Sequence, residues 1–282
     1  MNKILSKLLE KKKTQIKYNT QCLNSVPSTN TLLKERALKG EAEGAVIIAD
    51  SQSAGKGRLD RSFFSPEGSG LYMSLLLRPS DRGITLAADK ALMITTAASV
   101  SVCRAIEKVC KIKCGIKWVN DVFCDGKKVC GILTEGALIP NTSNLDYAVL
   151  GIGVNIREPD NGFPENIAHI AGALFPHTYS GSTDYVRAQL AAEILADFAD
   201  SYVKSICAEQ ALDKAFINEY ISRSVLDGRR VEVSLGNSTM EATAIGINDD
   251  CSLTVITNEK KVLKLTYGEV RIKLLDRHKL HD

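Results

Sequence analysis

The chain has 282 residues, 44% of them hydrophobic and 24% charged, with a formal net charge of +3. That balance is typical of a globular protein with room for one large domain and a small one. So slight a positive excess gives no argument for nucleic-acid binding, and no apolar run approaches the roughly 20 residues of a transmembrane helix.

The N-terminus, Met1-Asn-Lys-Ile-Leu-Ser-Lys-Leu-Leu-Glu10, sets Ile4, Leu5, Leu8 and Leu9 on one side of an amphipathic helix. Lys7 breaks its apolar stretch, which makes it a poor secretory signal. Residues 1–24 read as an extension, with Lys11-Lys12-Lys13 a solvated charge run. A helix is expected over Thr29–Lys39, opened by the cap-forming residues Ser28-Thr29-Asn30. Strands follow at Ala45–Asp50 and Leu71–Leu77, the second apolar on both faces. Leu92, Ala97, Val100, Ala105 and Val109 recur at helical spacing within Leu86–Val109. Short strands are expected at Gly115–Lys117, Val119–Cys124 and Lys128–Glu135, with Asp125-Gly126 as a hairpin turn. Tyr147–Asn155 is another strand. Tyr185–Cys207 is a long helix that turns Leu190, Ile194, Leu195, Phe198 and Tyr202 to the core, and a further helix runs from Gln210 to Arg223.

Near Val225 the pattern changes to strands and turns only. Arg230–Leu235, Met240–Ile247, Ser252–Thr257, Val262–Tyr267 and Glu269–Leu274 are five short strands in under sixty residues, the signature of a small β-barrel. The expected division is therefore an extension at 1–24, a main α+β domain at 25–224 and a barrel at 225–282. Eight cysteines are present, at 22, 103, 110, 114, 124, 130, 207 and 251. No CxxC pair and no zinc spacing occurs among them, so free thiols in a reducing cytosol are expected. The histidines at 169, 177, 278 and 281 are scattered and suggest no metal site.

Four clusters carry polar chemistry. Ser28-Thr29-Asn30 reads as a helix cap, whose free N–H groups and side chains also suit a small polar ligand. Ser51-Gln-Ser-Ala-Gly-Lys-Gly-Arg-Leu-Asp-Arg61 follows a strand and packs two glycines and three cations into eleven residues. Such a loop lets backbone approach an anion that Lys and Arg neutralise, although a basic solvated turn looks the same. It is neither a Walker loop nor a dinucleotide fingerprint. After it, Phe63-Phe64 either folds over a ligand or anchors the loop. Lys117-Trp-Val-Asn-Asp121 sets a cation, an amide and a carboxylate at a strand end, or else is an edge strand with solvated charges. Lys128-Val-Cys-Gly131-Ile-Leu and Gly151-Ile-Gly153-Val-Asn155 place glycines where backbone can lie close to a flat ligand, or where a sheet bulges.

In this order and with these separations, the clusters resemble those of biotin protein ligases, over roughly residues 26–275 and including a C-terminal barrel with Gly268-Glu269-Val270. The resemblance implies a mixed-sheet catalytic domain flanked by helices, similar to class II synthetases, with an SH3-like barrel. It implies that biotin carboxylate attacks the α-phosphate of ATP, with Mg²⁺, to give biotinyl-5′-adenylate. A lysine of a biotin carboxyl carrier protein then takes the acyl group. Ser28, Thr29, Asn30 and Gln52 match positions that hold the biotin rings. Lys56, Gly57 and Arg58 match the loop that closes over biotin and the adenylate, and Gly131 and Gly151 the floor beneath. Lys117, Lys128 and Arg58 match the catalytic cations, with Lys128 also near biotin. Arg58, Arg61, Asn120, Asp121 and Asn155 match the ATP site. No direct protein ligation of the metal is expected, with Asp121 the residue that would lie near it.

Four positions depart from the family pattern: Lys56 replaces arginine, Asp60 glycine, Phe63 tryptophan and Val119 proline. Only 27 residues precede Ser28, about half of what a winged helix needs, so a cytoplasmic ligase that binds neither DNA nor membrane is expected. The family often pairs through sheet edges, which leaves a homodimer open. A lipoate or octanoate transferase and a biotin sensor without ligase activity are the alternative readings.

Overall fold

The structure, a computed structural model, describes residues 1–59, 61–208, 215–235, 238–266 and 270–274. In chain order these form α1 (Asn2–Glu10), β1 (Asn19–Val26), α2 (Thr29–Leu38), β2 (Ala45–Gln52), β3 (Gly70–Leu77), α3 (Ala91–Cys110), β4 (Gly115–Lys117) and β5 (Asp121–Cys124). Next come β6 (Lys127–Leu138), β7 (Leu145–Asn155), α4 (Glu165–Ala168), α5 (Thr183–Ser201) and α6 (Ala215–Ser222). The chain continues through β8 (Arg230–Leu235), β9 (Ser238–Ile247), β10 (Leu253–Thr257), β11 (Val262–Leu265) and β12 (Val270–Leu274).

Seven strands make one mixed sheet in the order β1-β2-β3-β7-β6-β5-β4, in which β1 and β2 run parallel and the other neighbours antiparallel. Side chains alternate between the two faces of a strand. One face presents Val46, Ile48, Met73, Leu75, Ile132, Leu150 and Ile152 to a large core shared with α3 and α5. The other presents Ala45, Ile47, Leu76, Tyr147 and Val149, which Leu33 and Ala37 of α2 cover. β8–β12 form a second, antiparallel sheet in the order β11-β10-β9-β8-β12, the small all-strand unit expected at the C-terminus. Val231, Val233, Ala242, Ala244 and Val255 of this sheet join the large core.

The structure corrects the reading of residues 1–24 as an extension. β1 crosses that boundary and pairs with β2 from Asn19↔Ala45 to Val26↔Gln52. The amphipathic helix is present, and its Leu5 is fully buried. Lys12 is not merely solvated, since it pairs with Glu193 at 2.8 Å. The expected strand Val119–Cys124 begins only at Asp121, and the Trp118–Val119 peptide is cis. α5 ends at Ser201 and continues as a π-helical turn, Tyr202–Ile206. Residues 210–214 of the expected sixth helix, the turn 236–237, Asp60, residues 267–269, His278 and His281 lie outside the described residues.

Candidate active site

α2 is short and covers only part of its face of the sheet. What it leaves open is a cleft of about 220 Å³. Gly131, Gly151 and Gly153 fall on this face by the two-residue period of β6 and β7, as Leu133, Glu135 and Val149 do. The walls are the loop after β2, the β4–β5 turn, and Phe163, Ile167 and Ile170 from the segment around α4. All fifteen residues expected at the site, from Ser28 to Asn155, line this one cleft.

One end is neutral and hydrogen-bonding. Ser28 caps α2, accepting from the Thr31 N–H at 3.4 Å, so the cap reading of this cluster is right for Ser28. Thr29 and Asn30, both 4% exposed, serve another purpose. The Thr29 N–H and hydroxyl donate to Gln52 Oε1 at 2.9 and 3.2 Å, and Gln52 Nε2 donates to Ser65 Oγ at 2.9 Å. Asn30 Nδ2 donates to Glu135 Oε2 at 2.9 Å. The buried Ser74 hydroxyl lies 2.6 Å from Asn30 Oδ1 and 2.7 Å from Thr29 Oγ1, and its one proton serves one of them at a time. Glu135 also takes the Lys34 ammonium at 2.8 Å. Burial works against its ionisation, but the bonds from Lys34 and Asn30 outweigh it and hold the carboxyl below its usual range. Gly151 is required here, because a Cβ at that position would lie 2.2 Å from Asn30 Oδ1.

The other end is cationic. Lys117 and Asp121 face each other across the β4–β5 pair, and Lys128 Nζ sits 2.5 Å from Asp121 Oδ1. Burial lowers the Lys117 ammonium below its ordinary value. Lys128 and Arg61 push the same way, and Asp121 opposes them. Arg58 Nη1 donates to Asn120 Oδ1 at 3.1 Å, while Asn120 Nδ2 donates to the Ile132 carbonyl at 2.8 Å. Both ends of this amide are thus used within the chain. It ties Arg58 to β6 in the state described, where the resemblance assigns it to adenine. Asn155 Nδ2 donates to the Gly172 carbonyl at 2.9 Å and fixes the far rim.

Backbone hydrogen bonds tie the described residues of the basic loop together. The Phe63 N–H donates to the Gly55 carbonyl at 2.8 Å and the Gly57 N–H to the Arg61 carbonyl at 2.7 Å, with isolated bridges at Gln52↔Ser65 and Lys56↔Ser62. Lys56 and Arg61 are exposed, and Arg58 is half-buried and turned inward. Phe63 reaches back over the glycine floor. A Cβ on Gly153 would meet its ring at 2.5 Å and one on Gly131 at 3.1 Å. The ring packs edge-on against Tyr72, with centroids 6.4 Å apart. Phe64 stays at the surface, edge-on to Phe163.

Several supporting residues were not expected. Ser74 and Glu135 complete the neutral end. The Trp118 indole N–H donates to the Cys251 carbonyl at 2.7 Å, and the Tyr220 hydroxyl donates to the Val119 carbonyl at 3.0 Å, so the small sheet and α6 both brace the β4–β5 turn. Arg187 of α5, 3% exposed, pairs with Asp50 and donates to the Ala49 carbonyl at 3.0 Å, below the start of the basic loop. A neutral head site, a glycine-floored slot and a cationic end together suit an elongated ligand with a polar head and an acid or phosphate tail.

Known proteins resemble this chain in sequence and in fold. The profile of the Biotin/lipoate A/B protein ligase family matches residues 22–155. The chain is 32% identical over 232 residues to the bifunctional ligase/repressor BirA of Bacillus subtilis, spanning 82% of this chain and 67% of that protein. It is 28% identical over 251 residues to the biotin–[acetyl-CoA-carboxylase] ligase of Mycobacterium tuberculosis, spanning 86% and 85%. The structure of the biotin protein ligase from Aquifex aeolicus in complex with biotin and ATP superposes with a TM-score of 0.70 at 26% identity, covering 91% of this chain and 99% of that one.

Proposed function

This chain belongs to the biotin/lipoate A/B protein ligase family, and from that premise we propose how its cleft performs ATP-dependent ligation of biotin to a protein lysine. The observation that carries the reading is the convergence of one neutral and one cationic end on a single glycine-floored slot.

The ureido head of biotin binds at the neutral end. There Thr29, Asn30 and Gln52 are held in place by Ser74, Ser65 and Glu135. The flat ring system lies on the Gly151 backbone and extends over Gly131 and Gly153 once the Phe63 ring, which rests on those two glycines, moves aside. The valeryl carboxylate then reaches the cationic end, beside ATP bound under Arg58, Arg61 and Asn155. Lys117 and Lys128 stabilise charge as the carboxylate oxygen attacks the α-phosphorus and pyrophosphate leaves. An incoming lysine amine attacks the acyl carbon of the mixed anhydride, and AMP leaves. The proton that the amine sheds leaves to solvent or with the departing AMP phosphate. The basic loop keeps water from the anhydride. Asp121, the carboxylate of the hairpin, is engaged by Lys128; it is the residue that would lie near Mg²⁺ arriving with ATP, and the ion would neutralise charge on the departing phosphates.

The acceptor is a carrier domain of a biotin-dependent carboxylase, and the reaction is cytosolic. No helix among the described residues is long and apolar enough to cross a membrane. Arg223–Val225 runs along β4, with the Ile116 N–H donating to the Arg223 carbonyl. Pairing of two copies through the β4 edge of the large sheet is therefore disfavoured. The deciding experiment is incubation with ATP, biotin and a carrier domain. Biotinylated carrier is expected. Transfer of lipoate or octanoate only, or biotin binding without transfer, would overturn the reading.

A further inference from the structure

The β4–β5 hairpin has a second face, turned from the cleft toward α3, and its chemistry is not used in ligation. Cys114 precedes β4 and Cys124 ends β5. Since Gly115 pairs with Phe123 in the antiparallel register, the two cysteines stand opposite each other. Their Sγ atoms are 2.9 Å apart, and both are free thiols. Opposed residues of an antiparallel pair have Cα atoms ~4.5–5.5 Å apart, inside the ~4.4–6.8 Å range that a disulfide spans. Bond formation there needs rotation about side-chain bonds and no movement of backbone.

The neighbours favour one sulfur as the nucleophile. Cys114 is half-buried, whereas Cys103 on α3 and Cys130 on β6 are wholly buried. A solvent-borne oxidant therefore meets Cys114 first. The neighbouring Cys103 thiol and then Cys124 hold its thiol well below the ordinary value. The Arg223 guanidinium helps, while burial and Glu107 oppose. A thiolate is the reactive form of cysteine.

We propose that Cys114 and Cys124 are an oxidation site, at which a hydroperoxide joins them as a cross-strand disulfide. The Cys114 thiolate attacks a peroxide oxygen and breaks the O–O bond. This gives a sulfenic acid and, from hydrogen peroxide, a hydroxide that takes up the proton shed by the Cys114 thiol and leaves as one water. The Cys124 sulfur then displaces the sulfenic hydroxyl, which leaves with the Cys124 proton as a second water. Two thiols are oxidised and one peroxide is reduced. The new bond ties the open end of the hairpin whose other face carries Lys117 and Asp121, and it involves no residue that lines the cleft.

The test is peptide mapping of the full chain, exposed to hydrogen peroxide while folded and then alkylated in denaturant. Trypsin cuts after Lys113, Lys117 and Lys127, so the disulfide would join Cys114–Lys117 to Trp118–Lys127. The expected product is this linked pair, lighter by two hydrogens than its reduced halves and separated by a reductant. In Cys124→Ser, Cys114 should instead be trapped as the sulfenic acid by a dione reagent. If that variant does not fold, the mapping of the parent chain decides alone. Cys114 left fully alkylated while the half-buried Cys22 and Cys110 are oxidised would overturn the proposal. So would linkage of Cys114 to Cys103 or Cys110 in place of Cys124.

Discussion

Single side chains at the two ends of the cleft have separable jobs. Lys128 pairs with Asp121 beside Lys117, at the end of the cleft proposed to hold the phosphates. Lys128→Ala should slow biotin-dependent pyrophosphate release by roughly 10²-fold or more, and near-normal release would count against its role. Glu135 is different, because it works through Asn30. Its folded carboxyl lies below the ordinary value, so its contribution to stability is complete above the unfolded value, about 4.3, and is lost as pH falls through the folded one. Glu135→Gln should therefore lower the melting temperature at pH 7, and the gap to the parent should close in acid below about pH 4. A pH series of thermal melts checks this, and a gap that widens in acid would refute it. Lys117, Asn120, Asp121 and Lys128 could be read from the sequence because they recur in short runs. Glu135 and Ser74 could not, since their partner Asn30 lies 105 and 44 residues away along the chain. One signal was there to use: Ser74 is the one aliphatic hydroxyl in the apolar run Leu71–Leu77, and a buried hydroxyl needs a partner.

Among the elements, α2, β2, β3 and β7 were legible from capping residues and apolar runs. β1 was not. Its sequence, Asn-Thr-Gln-Cys-Leu-Asn-Ser-Val, is mostly polar because an edge strand buries little. The π-helical turn after α5 also has no periodic signature. α5 carries a second feature that its apolar spacing hides, the buried Arg187 between Val186 and Ala188. Through Asp50 and the Ala49 carbonyl it locks the helix to the end of β2, from which the basic loop departs. Asp50 is partly exposed, which softens the penalty of stranding it. Arg187→Ala should still cost roughly 2–3 kcal/mol of stability, toward the low end for a broken buried pair. Urea denaturation reads this directly, and a change within about 0.5 kcal/mol, typical of surface substitutions, would mean that the pair does not hold the loop.

Across the molecule, the division into a large mixed α+β unit and a small all-strand unit followed from composition and turn spacing. The seam between them did not, because its apolar side chains merge into the large core and its hydrogen bond from Trp118 ends on a backbone carbonyl that carries no sequence label. Ligand binding acts on this assembled body. Biotin at about 100 times its dissociation constant should add roughly 2.7 kcal/mol of stability, visible as a raised melting temperature, whereas lipoate should add little. An equal shift from lipoate would argue against biotin selectivity. The hydrogen bond from the Trp118 indole to the Cys251 carbonyl has a consequence for how this protein can be dissected. A fragment cut near Val225 keeps every residue of the cleft, yet its Trp118 N–H loses the acceptor, and an orphaned buried donor costs about 1–3 kcal/mol. Apparent modularity along the chain is therefore misleading: the terminal sheet is a splint for the turn between Lys117 and Asp121, and engineering that swaps or trims it edits the proposed adenylation site from behind.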